Sequence, residues 1–138
     1  MEEKSKKESV AFNALNKGKY LEAEILLREI VSSGTNNYAV YGSLAILIGK
    51  KGNIKEMLEY LKHSTKLNPK YAEGHFNLGI IYLKKGDFNK AIDSFLNTTK
   101  LRPKDSNALN MLGVAFFKKG NIKSSISCYS QAIELNPQ

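Results

Sequence analysis

Few side chains in this chain are of a type that does covalent or acid–base chemistry: His63, His75, Cys128 and the serines Ser124, Ser125 and Ser127. A nucleophile needs a base beside it or a lowered pKa. Cys128 has no sequence neighbour that would lower its pKa, and the serines fall on a helical stretch without the glycine elbow of a hydrolase. Residues 49–53, GKKGN, lack the spacing and the Ser or Thr of a phosphate-binding loop, and no His-Glu-x-x-His occurs. His63 sits beside Lys62 and Lys66 with Glu59 as the carboxylate one turn away, which reads as an exposed i,i+4 pair. One cysteine and two histidines are too few for a structural zinc site or an internal disulfide. The sequence thus assigns no catalytic residue, no metal ligand and no cofactor.

Composition bounds the class of protein. With 138 residues, 42% of them hydrophobic, the chain is expected to form a single domain over residues 1–138. Net charge is +8, yet only Arg28 and Arg102 of the 21 basic residues are arginine. Phosphate and base-edge recognition leans on the guanidinium fork, so the charge argues against nucleic acid and leaves acidic partners open. No apolar run reaches the ~18 residues of a membrane span, and the mixed-charge start MEEKSKKES is not a signal peptide. A cytoplasmic protein with no membrane partner is the expectation.

The elements that position these residues are written in a repeat. KKGNIK occurs at 50–55 and 118–123, KKGDFNK at 84–90 and NKGKY at 16–20, so that Gly18, Gly52, Gly86 and Gly120 are each 34 residues apart. Pro69, Pro103 and Pro137 keep the same period, each two residues after a leucine. A period of this length marks a solenoid, in which each unit buries its apolar face by stacking on the next. Within a unit the apolar spacing is helical, as in Phe76, Ile80 and Leu83. Gly86 closes that helix with lysines before it, and Asp87, like Asn53 and Asn121, is placed to cap the next one. Four helix–turn–helix units are predicted, at about 4–37, 38–71, 72–105 and 106–138, with the recurring KKG as the turn. In this register His75 shares a column with Tyr41 and Leu109 and reads as a packing residue.

These residues resemble the tetratricopeptide repeat. The third unit has the family's Leu78-Gly79, Tyr82, Ala91, Phe95 and Pro103, and the fourth has Leu112-Gly113, Phe116, Ser125, Tyr129, Ala132 and Pro137. The second keeps Leu44, Ala45, Ile48, Met57, Leu61 and Pro69, and the first only Ala11, Ala14, Gly18, Ala23 and Leu27, with Thr35 where proline would stand. The resemblance implies a right-handed α-solenoid of eight helices. Small residues at Ala11, Ala45, Gly79 and Gly113 are expected to face Ala23, Ala91 and Ser125 on the second helices, with Met57 bending around its neighbour.

The resemblance also places the first helices on a concave face that binds a protein or peptide. Phe12, Leu15, Ile46, Phe76, Ile80, Leu83, Val114 and Phe117 then form an apolar stripe edged by Lys50, Lys84 and Lys118, joined by Glu73, Asn77, Asn107 and Asn110. Ile46, Ile80 and Val114 suit groove or core equally, whereas Phe76, Leu83 and Phe117 are expected in the groove. The lysines also suit a helix C-terminus whatever the groove does. The carboxylate clamp of some family members is missing, since Gly42, Ile46, Asn107 and Met111 stand at its outer positions. A peptide with spaced apolar anchors and acidic flanks fits best. Ile126, Tyr129 and Ile133 would be partly uncovered on the last repeat, so self-assembly through end faces, as a homo-oligomer, is the alternative. A third reading is an interaction domain of a larger enzyme such as a transferase.

Overall fold

The computed structural model describes residues 2–137, and among them are eight α-helices and no strand. They are α1 (Glu2–Asn16), α2 (Tyr20–Ser32), α3 (Tyr38–Lys50), α4 (Ile54–Leu67), α5 (Ala72–Lys85), α6 (Phe88–Leu101), α7 (Ser106–Lys119) and α8 (Ile122–Leu135). The helices fall into two compact units, residues 1–68 and 69–138, each holding two helix pairs.

The recurring turn is one piece of hydrogen-bond chemistry used four times. After each KKG-type segment the next residue donates its N–H to a carbonyl five positions back: Lys19 to Ala14, Asn53 to Ile48, Asp87 to Tyr82 and Asn121 to Phe116. That closure needs a left-handed residue between, and Gly86 and Gly120 supply it with φ of 79° and 94°. The next helix starts at once, because Asn53, Asp87 and Asn121 accept the backbone N–H of Glu56, Lys90 and Ser124 at 3.2, 3.3 and 3.2 Å. In the first repeat Lys19 stands at this place and gives α2 no side-chain cap.

Each unit has its own core. In the first, Ala11, Ala14, Ala23, Leu27, Ile30, Val40, Leu44, Leu47 and Ile48 cluster; in the second, Ala91, Ile92, Phe95, Leu112, Ala115 and Cys128 do. The small column works differently from the small-on-small contact expected from the repeat. A Cβ on Gly79 would lie 2.5 Å from the Phe95 ring, and one on Gly113 would lie 2.9 Å from the Tyr129 ring. The glycines make room for aromatic rings one helical turn beyond Ala91 and Ser125. Ser125 does reach the first helix, donating its hydroxyl to the Gly113 carbonyl at 2.9 Å.

Met57 is also accommodated otherwise than expected. Its thioether fills the space beside Gly49, not space won by bending. The other repeats have Leu15 with Ala23, Leu83 with Ala91 and Phe117 with Ser125 at these two columns. The second repeat exchanges large and small and keeps the pair's volume, the kind of swap a packed core tolerates best.

Candidate functional site: the exposed face of the first helices

In the 69–138 unit, helicity puts Phe76, Asn77, Ile80, Leu83 and Lys84 on one side of α5, and Asn107, Asn110, Val114, Phe117 and Lys118 on one side of α7. Phe76, Ile80 and Leu83 lean on the unit's core yet remain half-buried, with Phe76 edge-on to Phe95 at 5.7 Å between ring centres. Val114 and Asn77 are half-buried too, and Phe117 is 55% exposed. Glu73, Asn107, Asn110, Lys84 and Lys118 are exposed. The buried side of the same helices is a separate set: Leu78 and Ile81 on α5, Leu112 and Ala115 on α7.

The 1–68 unit repeats the division. Val40, Leu44, Leu47 and Ile48 are buried on α3, while Phe12, Leu15 and Ile46 stay half-buried. Lys50 differs from a free groove-edge charge, because its ammonium lies over the Tyr20 ring, 4.6 Å from the centroid. No spacing in the sequence points to Tyr20 as that partner; it opens α2 one residue after the uncapped Lys19.

The residues with catalytic potential are held in packing roles. His75 is half-buried with Nε2 2.8 Å from the Pro69 carbonyl oxygen. His63 lies against Tyr41 with 4.2 Å between ring centres and the rings tilted by 50°, a longer-range contact than the i,i+4 pairing with Glu59 expected for it. Cys128 is buried, and burial pushes its thiol pKa up, away from the reactive thiolate. Among the described residues no three His, Cys, Asp or Glu side chains gather to hold a metal, and no helix is long and apolar enough to cross a membrane.

Family models described as tetratricopeptide repeat match residues 38–71, 72–105 and 106–138. The chain belongs to the tetratricopeptide repeat family. Solved structures extend the likeness of fold to the first helix pair. A crystal structure of MamA is 22% identical with a TM-score of 0.83, over 94% of this chain and 75% of that one. MamA 41-end from Desulfovibrio magneticus RS-1 is 19% identical with a TM-score of 0.85, over 99% and 77%. YrrB, described as a tetratricopeptide repeat protein with an unusual peptide-binding site, is 23% identical with a TM-score of 0.82, over 96% and 68%. No curated protein matches the sequence significantly. At these identities the likeness carries the repeat fold alone.

Two further features of the tetratricopeptide repeats have little or no signal in the sequence. Asn107 and Asn110, assigned to the concave face, also line a cleft of about 580 Å³ with Ser106, Tyr129, Ala132, Ile133 and Asn136. The second feature is an ion network in the 1–68 unit. Arg28 pairs bidentately with Glu56 at 2.8 and 3.1 Å and meets Glu24 at 3.0 Å, while Lys51 reaches the other Glu24 oxygen at 2.8 Å. Hydrogen bonds from Lys51 and then Arg28 hold the Glu24 carboxyl below its ordinary pKa, and Arg28 does the same for Glu56. Only the Glu24–Arg28 part has a sequence signal, its i,i+4 spacing.

Proposed function

We propose that this chain is a protein-interaction module that binds partner segments along the exposed face of the first helices within each unit. One observation carries the reading. Of the eight apolar residues on that stripe none is buried, whereas the opposite side of α3, α5 and α7 is packed into the cores. An apolar stripe left part-exposed beside a satisfied core costs solubility and is kept where something covers it. Phe76, Ile80 and Leu83 are the anchors proposed for α5, Val114 and Phe117 for α7, and Phe12, Leu15 and Ile46 for the first unit. Lys84 and Lys118, exposed beside these anchors, favour acidic flanks on the ligand, with Asn77, Asn107, Asn110 and Glu73 as polar contacts; Lys50 would have to leave Tyr20 to join them. The peptide-binding site described for YrrB is consistent with this use of the fold.

A peptide-display selection tests it. Wild type should enrich sequences with spaced apolar residues flanked by Asp or Glu, and binding should fall steeply with added salt, as screened charges require. The folded double variant Ile80→Asp, Lys84→Glu should lose those peptides. If it retains them, the ligand lies elsewhere on the molecule.

A further inference from the structure

The outer stripe of α8 carries large apolar side chains into solvent. Ile122, Ile126 and Ile133 are 49, 59 and 62% exposed, and Tyr129 is half-buried between them. Their spacing of i, i+4, i+7 and i+11 puts all four on one side. At the columns of Ile126 and Tyr129, α6 has Ile92 and Phe95 and α4 has Leu58 and Leu61, all buried. Thr65 and Thr99 stand at the column of Ile133 in α4 and α6, and Val31 in α2, so α8 has a large apolar group where α4 and α6 have a hydroxyl.

The flanks of the stripe are just as distinctive. α8 carries two charges, Lys123 and Glu134, and Ser130 stands beside the stripe at the column of Lys62, while Ser124, Ser127 and Gln131 turn away to line a cleft with Leu96, Thr99 and Pro103. α4, by contrast, carries Lys55, Glu56, Glu59, Lys62 and Lys66. Of those charges only Lys62 has lost its counterpart next to the stripe, and the small Ser130 in its place allows close approach of an apolar partner. Lys123 and Glu134 are eleven residues apart, on the same flank of the helix and at its opposite ends, both exposed. Only an antiparallel copy of this helix sets each of them opposite its counter-charge. A dyad between residues 128 and 129 pairs position 123 with 134 and lays the two stripes over each other.

The head-to-tail alternative fails on composition. α3 and α7, which contact the helices before them, bury Val40, Leu44 and Leu47, and Ala108, Leu112 and Ala115. The same columns on α1 hold Lys6, Val10 and Asn13, all exposed. A lysine and an asparagine at the centre of such a contact would be buried without partners.

We infer that two copies of this chain associate through an antiparallel α8–α8 contact, with the isoleucine stripe at its centre and Lys123 paired to Glu134 of the partner subunit across a two-fold axis. The contact is isologous and therefore closes at a dimer. None of the four stripe residues is among the proposed peptide anchors, but Tyr129 and Ile133 share a cleft with Asn107 and Asn110, so the dimer contact borders that end of the peptide surface. Sedimentation equilibrium over a range of protein concentrations is the test. Wild type should show a monomer–dimer equilibrium, and Ile126→Asp should be monomeric with an unchanged helical circular dichroism spectrum. Reversal of one charge, Lys123→Glu, should weaken dimerisation roughly tenfold, and adding Glu134→Lys in the same chain should restore it, because both intermolecular pairs re-form with inverted sign. A monomer at every concentration, an assembly that grows past the dimer, or a dimer indifferent to Ile126→Asp would each overturn the inference, as would a double reversal no better than the single.

Discussion

At the scale of the residue, the repeat is a set of volume agreements between two helices, and the second unit shows that the agreement is between partners and not between positions. Gly49 and Met57 replace the large–small order of Leu83 and Ala91, with the thioether lodged against the glycine. Gly49→Leu alone should overpack the site and cost about 1–3 kcal/mol, while Met57→Ala alone should leave a cavity costing about 2–4 kcal/mol. The double variant recreates the order of the third unit. Urea denaturation of all four proteins should therefore give a coupling of roughly 1–3 kcal/mol in favour of the double variant; additive losses would mean the two side chains do not share one space. The exchange is written in the sequence, since both columns deviate in the same repeat, but only the coordinates identify the two deviations as neighbours.

At the scale of the element, α2 lacks the side-chain cap that α4, α6 and α8 have, and its packing in the core through Ala23, Leu27 and Ile30 is supplemented by an ion network. Glu24 is nearly buried between Arg28 and Lys51, and Arg28 bridges it to Glu56 at the start of α4. Because these carboxyls have lowered pKa values in the folded chain, the stability they contribute is present above their ordinary value of 4.5 and is lost as pH falls through the lowered values. Arg28→Met should thus lower the melting temperature at pH 7, by an amount equivalent to about 1–2 kcal/mol for a part-exposed network that leaves Glu24 short of a partner. The difference from wild type should shrink as the pH is taken below 4.5. A gap independent of pH would show that the arginine acts through packing of its stem. Sequence spacing reveals Glu24 with Arg28, whereas Glu56 at the start of α4 and Lys51 in the turn before it are brought to them by tertiary packing.

At the scale of the whole molecule, stability in stacked repeats is a sum of unit and neighbour terms, so weak units open first. α1 buries only Ala11 and Ala14, and its partner α2 begins without a cap. Amide hydrogen exchange should accordingly be fastest between Lys4 and Val31 and slower through α3 to α7. Uniform protection from the first helix onward would show that the poor match of this unit to the repeat pattern carries no energetic penalty.

The sequence by itself determined the number and type of the elements, their turns and their caps. These are local matters: a glycine with positive φ, an Asn or Asp three residues before the N–H it caps, and an apolar period of 3.6 are all decided within one or two helical turns. A 34-residue period also lets each column of the first helices be compared with three others, which is how their apolar stripe is proposed from sequence. Only the tertiary structure decided that Gly79 and Gly113 face rings, that Lys50 rests on Tyr20, that Asn107 and Asn110 share a cleft with Tyr129, and that Arg28 joins two carboxylates. Each of those contacts joins helices distinct in sequence, and its partner is chosen by distance and direction across the packed pair, which no column of residue types records.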